Sequence, residues 1–133
     1  MTWQAGHEFP AESYVVTRAD LVRYAGASGD FNSIHWSDRV ATSVGLPGVV
    51  AHGMLTLALA GRALTEWVGD PDRVVSFGAR FTNPVVVPDD DEGTSIEVGG
   101  VVKSVEDGLA TVELTVTHDG HKVLGMTRAT VRC

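Results

Sequence analysis

Apolar residues are spaced in two ways along this chain, and the spacing changes near residue 70. Residues 12–16, Glu-Ser-Tyr-Val-Val, predict a short strand. Thr17 is then a helix N-cap, with Asp20 three residues later in the first turn. Leu21, Val22, Tyr24 and Ala25 form the apolar side of that helix, which should end near Gly26 before Gly29 breaks the chain again. Ser37 or Asp38 caps a second short helix carrying Val40, Ala41 and Val44, stopped by Gly45 and Pro47. Residues 54–68 differ. Apolar side chains cover nearly every face up to about Gly61, which predicts a buried helix rather than an amphipathic one. Gly69-Asp70-Pro71 ends it.

Beyond that point the chain reads as β structure. Residues 74–81 predict one strand and residues 95–105 a second, bounded by the acidic turn Asp89-Asp90-Asp91-Glu92-Gly93. After Asp107-Gly108, residues 110–117 alternate at period two, and Asp119-Gly120 predicts a hairpin turn into a strand over 122–131. One buried helix followed by antiparallel strands predicts an α+β unit: a sheet of about five strands wrapped around a central helix. The open edges of so small a sheet need cover, so pairing with a second copy or a relative is expected.

The chemistry concentrates between these elements. Asp30 and His35 lie five positions apart in a Gly/Ser/Asn-rich stretch too irregular for one helix. Ala51-His52-Gly53-Met54 then opens the apolar helix. A carboxylate and an imidazole followed by a helix start can move protons beside a carbonyl. Asp30 with Asn32 also has a plain reading, a turn with an Asx cap. Asp30, Asn32, His35 and Asp38 could be drawn as metal ligands, but the spacing fits no zinc or calcium loop, and no metal is expected. His7, His118 and His121 read as surface residues, and Asp38 as a helix cap.

Composition narrows the classes. A chain of 133 residues, 44% hydrophobic and 20% charged, suits one globular domain over residues 1–133. The single cysteine, Cys133, is the last residue and gives no internal disulfide. Residues 1–8 lack a basic start and an apolar core, so no signal peptide is expected and a cytoplasmic location is. A net charge of −7 disfavours nucleic acid and anionic membrane as partners.

The stretch from Ser28 to Asp38, with Ala51-His52-Gly53-Met54, resembles the hydratase-2 signature of the MaoC-like family, (R)-specific enoyl-thioester hydratases and (3R)-hydroxyacyl-thioester dehydratases with a hot-dog fold. The spacing from Gly29 to His35 matches that pattern. Ser33 stands where the pattern usually has proline. The order of elements resembles that of the catalytic subunit of heterodimeric (3R)-hydroxyacyl-ACP dehydratases of type II fatty-acid synthesis.

The resemblance implies reversible addition of water across the C2–C3 double bond of an acyl thioester carried on coenzyme A or acyl-carrier protein, with no cofactor. It implies Asp30 and His35 as the acid-base pair, with the division of the two protons between them left open. Asn32 would orient the loop or the water. The Gly53 amide would hold the thioester oxygen, and Ser28 and His52 would add supporting hydrogen bonds. In some relatives a serine partway along the central helix assists the aspartate; the matching position here is Gly61. Two other readings differ in class. A non-catalytic acyl-binding or supporting subunit has no need of both Asp30 and His35. A thioesterase wants a carboxylate on the central helix, and Glu66 lies at its far end. A carrier protein is acidic, so either Arg18, Arg23, Arg39, Arg62, Arg73 and Arg80 gather at the pocket mouth, or a related hot-dog subunit in a heterodimer supplies a basic face; a homodimer is the alternative.

Overall fold

Thr17 closes a capping box at the entrance to the first helix. Its hydroxyl accepts from the Asp20 amide, and the Asp20 carboxylate accepts from the Thr17 amide at 2.9 Å. The structure, a computed structural model, describes residues 2–133; Met1, the first residue of the segment read for a leader, lies outside the described residues. In chain order the main elements are β1 (Glu8–Val16), α1 (Arg18–Ser28), α2 (Asp38–Ser43), α3 (Gly53–Val68), β2 (Val74–Phe81), β3 (Thr94–Glu106), β4 (Leu109–His118) and β5 (His121–Arg132). The strands form one antiparallel sheet in the order β1-β3-β4-β5-β2.

Both predicted Asp-Gly turns close hairpins. Asp107 and Gly108 have φ of 54° and 77°, and Asp119 and Gly120 have 50° and 77°. Such two-residue turns match the right-handed twist of the flanking strands. The inward residues of the long strands, Ile96, Val98, Val102, Val112, Val116 and Val131, are buried against Ala60, Ala63, Leu64 and Val68 of α3. Trp67 packs so tightly over β3 that a Cβ at Gly100 would come within 2.5 Å of its ring. The sheet therefore wraps α3, as expected.

Three details depart from expectation. First, β1 starts at Glu8, not residue 12; its register shifts between Phe9 and Glu12, around Pro10, and Phe9 is buried against Trp3 and Trp67. Proline breaks the sequence pattern there without ending the strand. Second, α1 runs on through Gly26 to Ser28, with Gly29 at φ 77° as the left-handed C-cap. Third, α3 is amphipathic. Met54, Ala58, Arg62 and Glu66, one every four residues, form an exposed stripe. Alanine and methionine on that stripe kept the sequence apolar where the chain alone leaves the helix uncovered. Among the described residues, no helix is long and apolar enough to cross a membrane.

Candidate active site

Between Ser28 and His35 the side chains of Ser28, Asp30 and Asn32 each turn the backbone before offering anything to a ligand. The Asp30 amide donates to Ser28 Oγ at 3.1 Å, and the Asn32 amide donates to Asp30 Oδ1 at 3.2 Å. The Ile34 amide donates to Asn32 Oδ1 at 3.3 Å, which caps a 3-10 turn over Ser33–His35. These are successive side-chain turns. The plain Asx reading of Asp30 therefore holds for Oδ1 alone and leaves Oδ2 free for other contacts.

His35 is buried, and its Nδ1 lies 2.7 Å from the Val50 carbonyl. A carbonyl only accepts, so Nδ1 carries the proton and Nε2 holds the lone pair. That lone pair sits 3.8 Å from Asp30 Oδ2, on a carboxylate about half exposed. The gap is too long for a direct hydrogen bond and fits a bridging water or a reacting group.

Val50 is placed by long-range pairing. The Val50 amide donates to the Ile34 carbonyl at 3.2 Å, the Ala51 amide to Val85 at 2.8 Å and the Val87 amide to Val49 at 3.0 Å. Asp38 ties this segment down. It takes Arg18 on both oxygens at 2.9 and 3.0 Å, and accepts from the Val49 amide at 2.9 Å. Arg18 also donates to the Val87 carbonyl at 2.7 Å. The Val49 amide and the Arg18 guanidinium hold the Asp38 carboxyl below the usual carboxylate range. Asp38 is thus a tie rather than the expected cap; Ser37 caps α2, with its Oγ accepting from Val40. An ion pair across 20 positions leaves no local signal that reading along the chain could catch.

Asp30, His35, Ser28, His52 and Gly53 line one cavity of about 480 Å³. Its other walls are largely apolar, with Val85, Val123, Leu124 and Phe81 among them. Gly53 and Met54 open α3, so their amides have no acceptor within the helix and carry its positive end. The Phe81 ring covers Gly53; a Cβ there would lie 3.0 Å from it. Asn32 is not part of this lining and acts on the loop. Gly61 is not part of it either and packs under Phe77, 3.3 Å from where its Cβ would be. Phe81, Thr56 and Asn83 line the cavity although the sequence reading named none of them. Phe81 and Asn83 come from a strand end far along the chain, and only pairing brings them here.

The expected surface histidines divide. His7 and His121 are exposed, but the His118 side chain is largely covered and within hydrogen-bond distance of Thr94 Oγ1 and the Ser95 carbonyl. None of the arginines named above lines the cavity itself. Arg18, Arg23 and Arg62 are paired instead with Asp38, Asp20 and Glu66.

One triad of side chains could be drawn as metal ligands: Asp30, His35 and His52, with donor atoms within 4.8 Å of one another. The imidazoles are stacked, 3.7 Å between centroids and 21° between planes. A metal lies in the plane of a ligating ring at about 2.0–2.1 Å. No single point satisfies both stacked rings, so the arrangement does not fit an ion.

A sequence model of the MaoC like domain matches residues 4–121. The chain belongs to the MaoC-like dehydratase family. It has that family's hot-dog fold. A solved MaoC-like dehydratase, 39% identical, superposes with a TM-score of 0.94 over 98% of this chain and 40% of its own. The 3-hydroxyacyl-thioester dehydratase X of Mycobacterium tuberculosis is 37% identical over 79 residues, covering 59% of this chain and 27% of that protein. The fatty acid synthase beta subunit pkiC of Emericella nidulans is 45% identical over 65 residues, 47% of this chain and 4% of that protein. This MaoC-like chain thus matches less than a third of the length of either curated relative. The names of its relatives place the family in fatty-acid metabolism. An (R)-hydratase from A. caviae, 21% identical with a TM-score of 0.80 over 98% of this chain and 96% of its own, shares the fold.

Proposed function

We propose that this chain hydrates trans-2-enoyl thioesters and dehydrates (3R)-hydroxyacyl thioesters, with Asp30 and His35 as the acid-base pair. The observation that carries this is the pair itself: an Nε2 lone pair, fixed by the Val50 carbonyl, 3.8 Å from a free carboxylate oxygen at the wall of an apolar cavity. In hydration, a water between the two groups, oriented by Asp30 Oδ2, gives one proton to the His35 Nε2 lone pair as its oxygen bonds C3. The imidazolium so formed, beside the Asp30 carboxylate, passes that proton from Nε2 to C2, and the pair is reset. Dehydration is the reverse. The Gly53 amide, at the positive end of α3, holds the charge that builds on the thioester oxygen; losing one such donor costs about 3–4 kcal/mol of barrier. A supporting subunit that only binds acyl chains would have no use for the fixed lone pair.

The partners in this reading are the acyl thioester, on coenzyme A or acyl-carrier protein, and a second hot-dog subunit, identical or related. The solved ChsH1-ChsH2 complex from Mycobacterium tuberculosis, whose matching chain is 25% identical with a TM-score of 0.80 over 98% of this chain and 96% of its own, supports the heterodimeric form. Among the described residues no arginine or lysine lines the cavity, so in this reading the basic face for an acidic carrier falls to the partner. Loss of the enoyl absorbance of crotonyl- and longer enoyl-coenzyme A is the test. Asp30→Asn and His35→Ala should each lower turnover by at least about a hundredfold with the fold intact. Near-normal rates in either variant would place the chemistry elsewhere, and equal use of (R) and (S) 3-hydroxyacyl thioesters would contradict the reading.

A further inference from the structure

His52 touches both halves of the acid-base pair. Its Nε2 lies 3.1 Å from the Asp30 backbone carbonyl, and its ring is stacked on His35 at 3.7 Å. It is 1% exposed, and Tyr24 of α1 packs against it at 4.7 Å. A carbonyl accepts, so the His52 proton sits on Nε2. Its Nδ1 is sealed from solvent and has no hydrogen-bond partner among the described residues.

Leaving an acceptor unpaired in a buried site costs about 1–3 kcal/mol. A proton on that Nδ1 would be worse: a buried cation with nothing to receive its N–H, stacked on the ring that must itself take up a proton. We propose that His52 is a positioning residue of the pair, setting the distance between Asp30 and His35 as a permanently neutral imidazole protonated on Nε2. Its Nε2–H anchors the Asp30 backbone, and its face fixes the plane in which the His35 ring lies. The groups facing it are Tyr24 from α1 and Asp30 and His35 from the loop. Burial, and secondarily the His35 ring, disfavour its charged form, while the Asp30 carbonyl and carboxylate oppose them; burial wins. The charge that the reaction places on imidazole is thereby confined to His35, whose Nε2 faces the carboxylate.

This rests on the proposed hydratase chemistry, and two measurements separate it from that reading. The first uses the wild-type chain labelled with 15N-histidine at pH 7, with His35→Ala and His52→Gln as assignment controls. His52 should show the neutral Nε2–H pattern, with its Nδ1 unprotonated. A charged or Nδ1-protonated His52 overturns the proposal, whether or not the chain hydrates anything. The second is kinetic. His52→Ala should lower kcat for enoyl-coenzyme A hydration by about ten- to a hundredfold while KM changes less than threefold. His52→Gln places an N–H near the position of Nε2 and should regain at least tenfold of the loss if that loss is near a hundredfold, and most of it otherwise. His52→Phe keeps a ring without a donor and should not. Wild-type kcat in His52→Ala, or rescue by phenylalanine and not glutamine, would overturn the positioning role while leaving Asp30 and His35 in place.

Discussion

At Ser33 the chain departs from the family pattern, and the backbone shows what the departure costs. Asn32 sits at φ −54° and ψ 128°, the extended region that a following proline demands. Ser33 is the first residue of a 3-10 turn, where an amide has no partner within the turn. Ser33→Pro should therefore fit without strain and raise stability by about 0.4–1 kcal/mol, measured by urea unfolding. Turnover should stay within about threefold, and a collapse in activity would mean that the loop must move. Gly53 makes the opposite case. A methyl there would press on the ring of Phe81, a residue 57% exposed and free to swing away. Gly53→Ala should keep the fold and lose at least about tenfold in turnover through the crowded amide. If pressure on the ring were the only fault, Gly53→Ala/Phe81→Ala would recover wild-type rates, and that recovery would remove the oxyanion role. His52 adds a titration. Burial holds its pKa below the ordinary value of about 6.5, so in the window beneath that value the unfolded chain takes a proton that the folded chain refuses. Stability falls there as pH falls. His52→Gln should flatten that loss, read as a smaller drop in Tm between pH 7 and pH 5.

Elements with local signals were legible. The Thr17–Asp20 box, the Asp-Gly hairpins and the alternation over residues 110–117 each act within a few positions, and strand bounds differ from the reading by a residue or so after residue 74. So was the Asp30–His35 pair, since side-chain turns in one loop bring the two groups together. What escaped is held by distant partners: the start of β1 around Pro10, the covered His118, the Phe81 lid and the Arg18–Asp38–Val49 tie. That tie carries its own pH signature. The Val49 amide and Arg18 lower the Asp38 pKa, so its contribution is present above the unfolded value of about 3.9 and is lost as pH falls through the folded value. Asp38→Asn keeps an oxygen for the Val49 amide and removes the charge facing Arg18. Its Tm should lie below wild type at pH 7, and the difference should shrink as pH approaches about 3. A difference that stayed constant with pH would assign the role of Asp38 to packing rather than charge.

For the whole molecule, the open surfaces and the net charge point the same way. The strands β1 and β2 are sheet edges, and β2 leaves Val75 and Phe81 half or more exposed. Met54, on the exposed stripe of α3, is 55% exposed at the cavity wall. Apolar edges of this kind invite another chain. The net charge is −7, and among the described residues the cavity lining includes no arginine or lysine to meet an acidic carrier. The sign of the salt effect separates the possible assemblies. If this chain works alone or as a homodimer, repulsion governs the encounter with an acidic carrier. Raising salt from about 20 to 150 mM, where the screening length shrinks to about 8 Å, should then lower KM for a carrier-bound enoyl thioester. If a basic related subunit provides the docking face, the same change should raise KM, while KM for a coenzyme A thioester moves less. Light scattering on the same samples reads the assembly. A fully active species at the 14.1 kDa of one chain would show that the β2 edge and the α3 stripe need no cover at all.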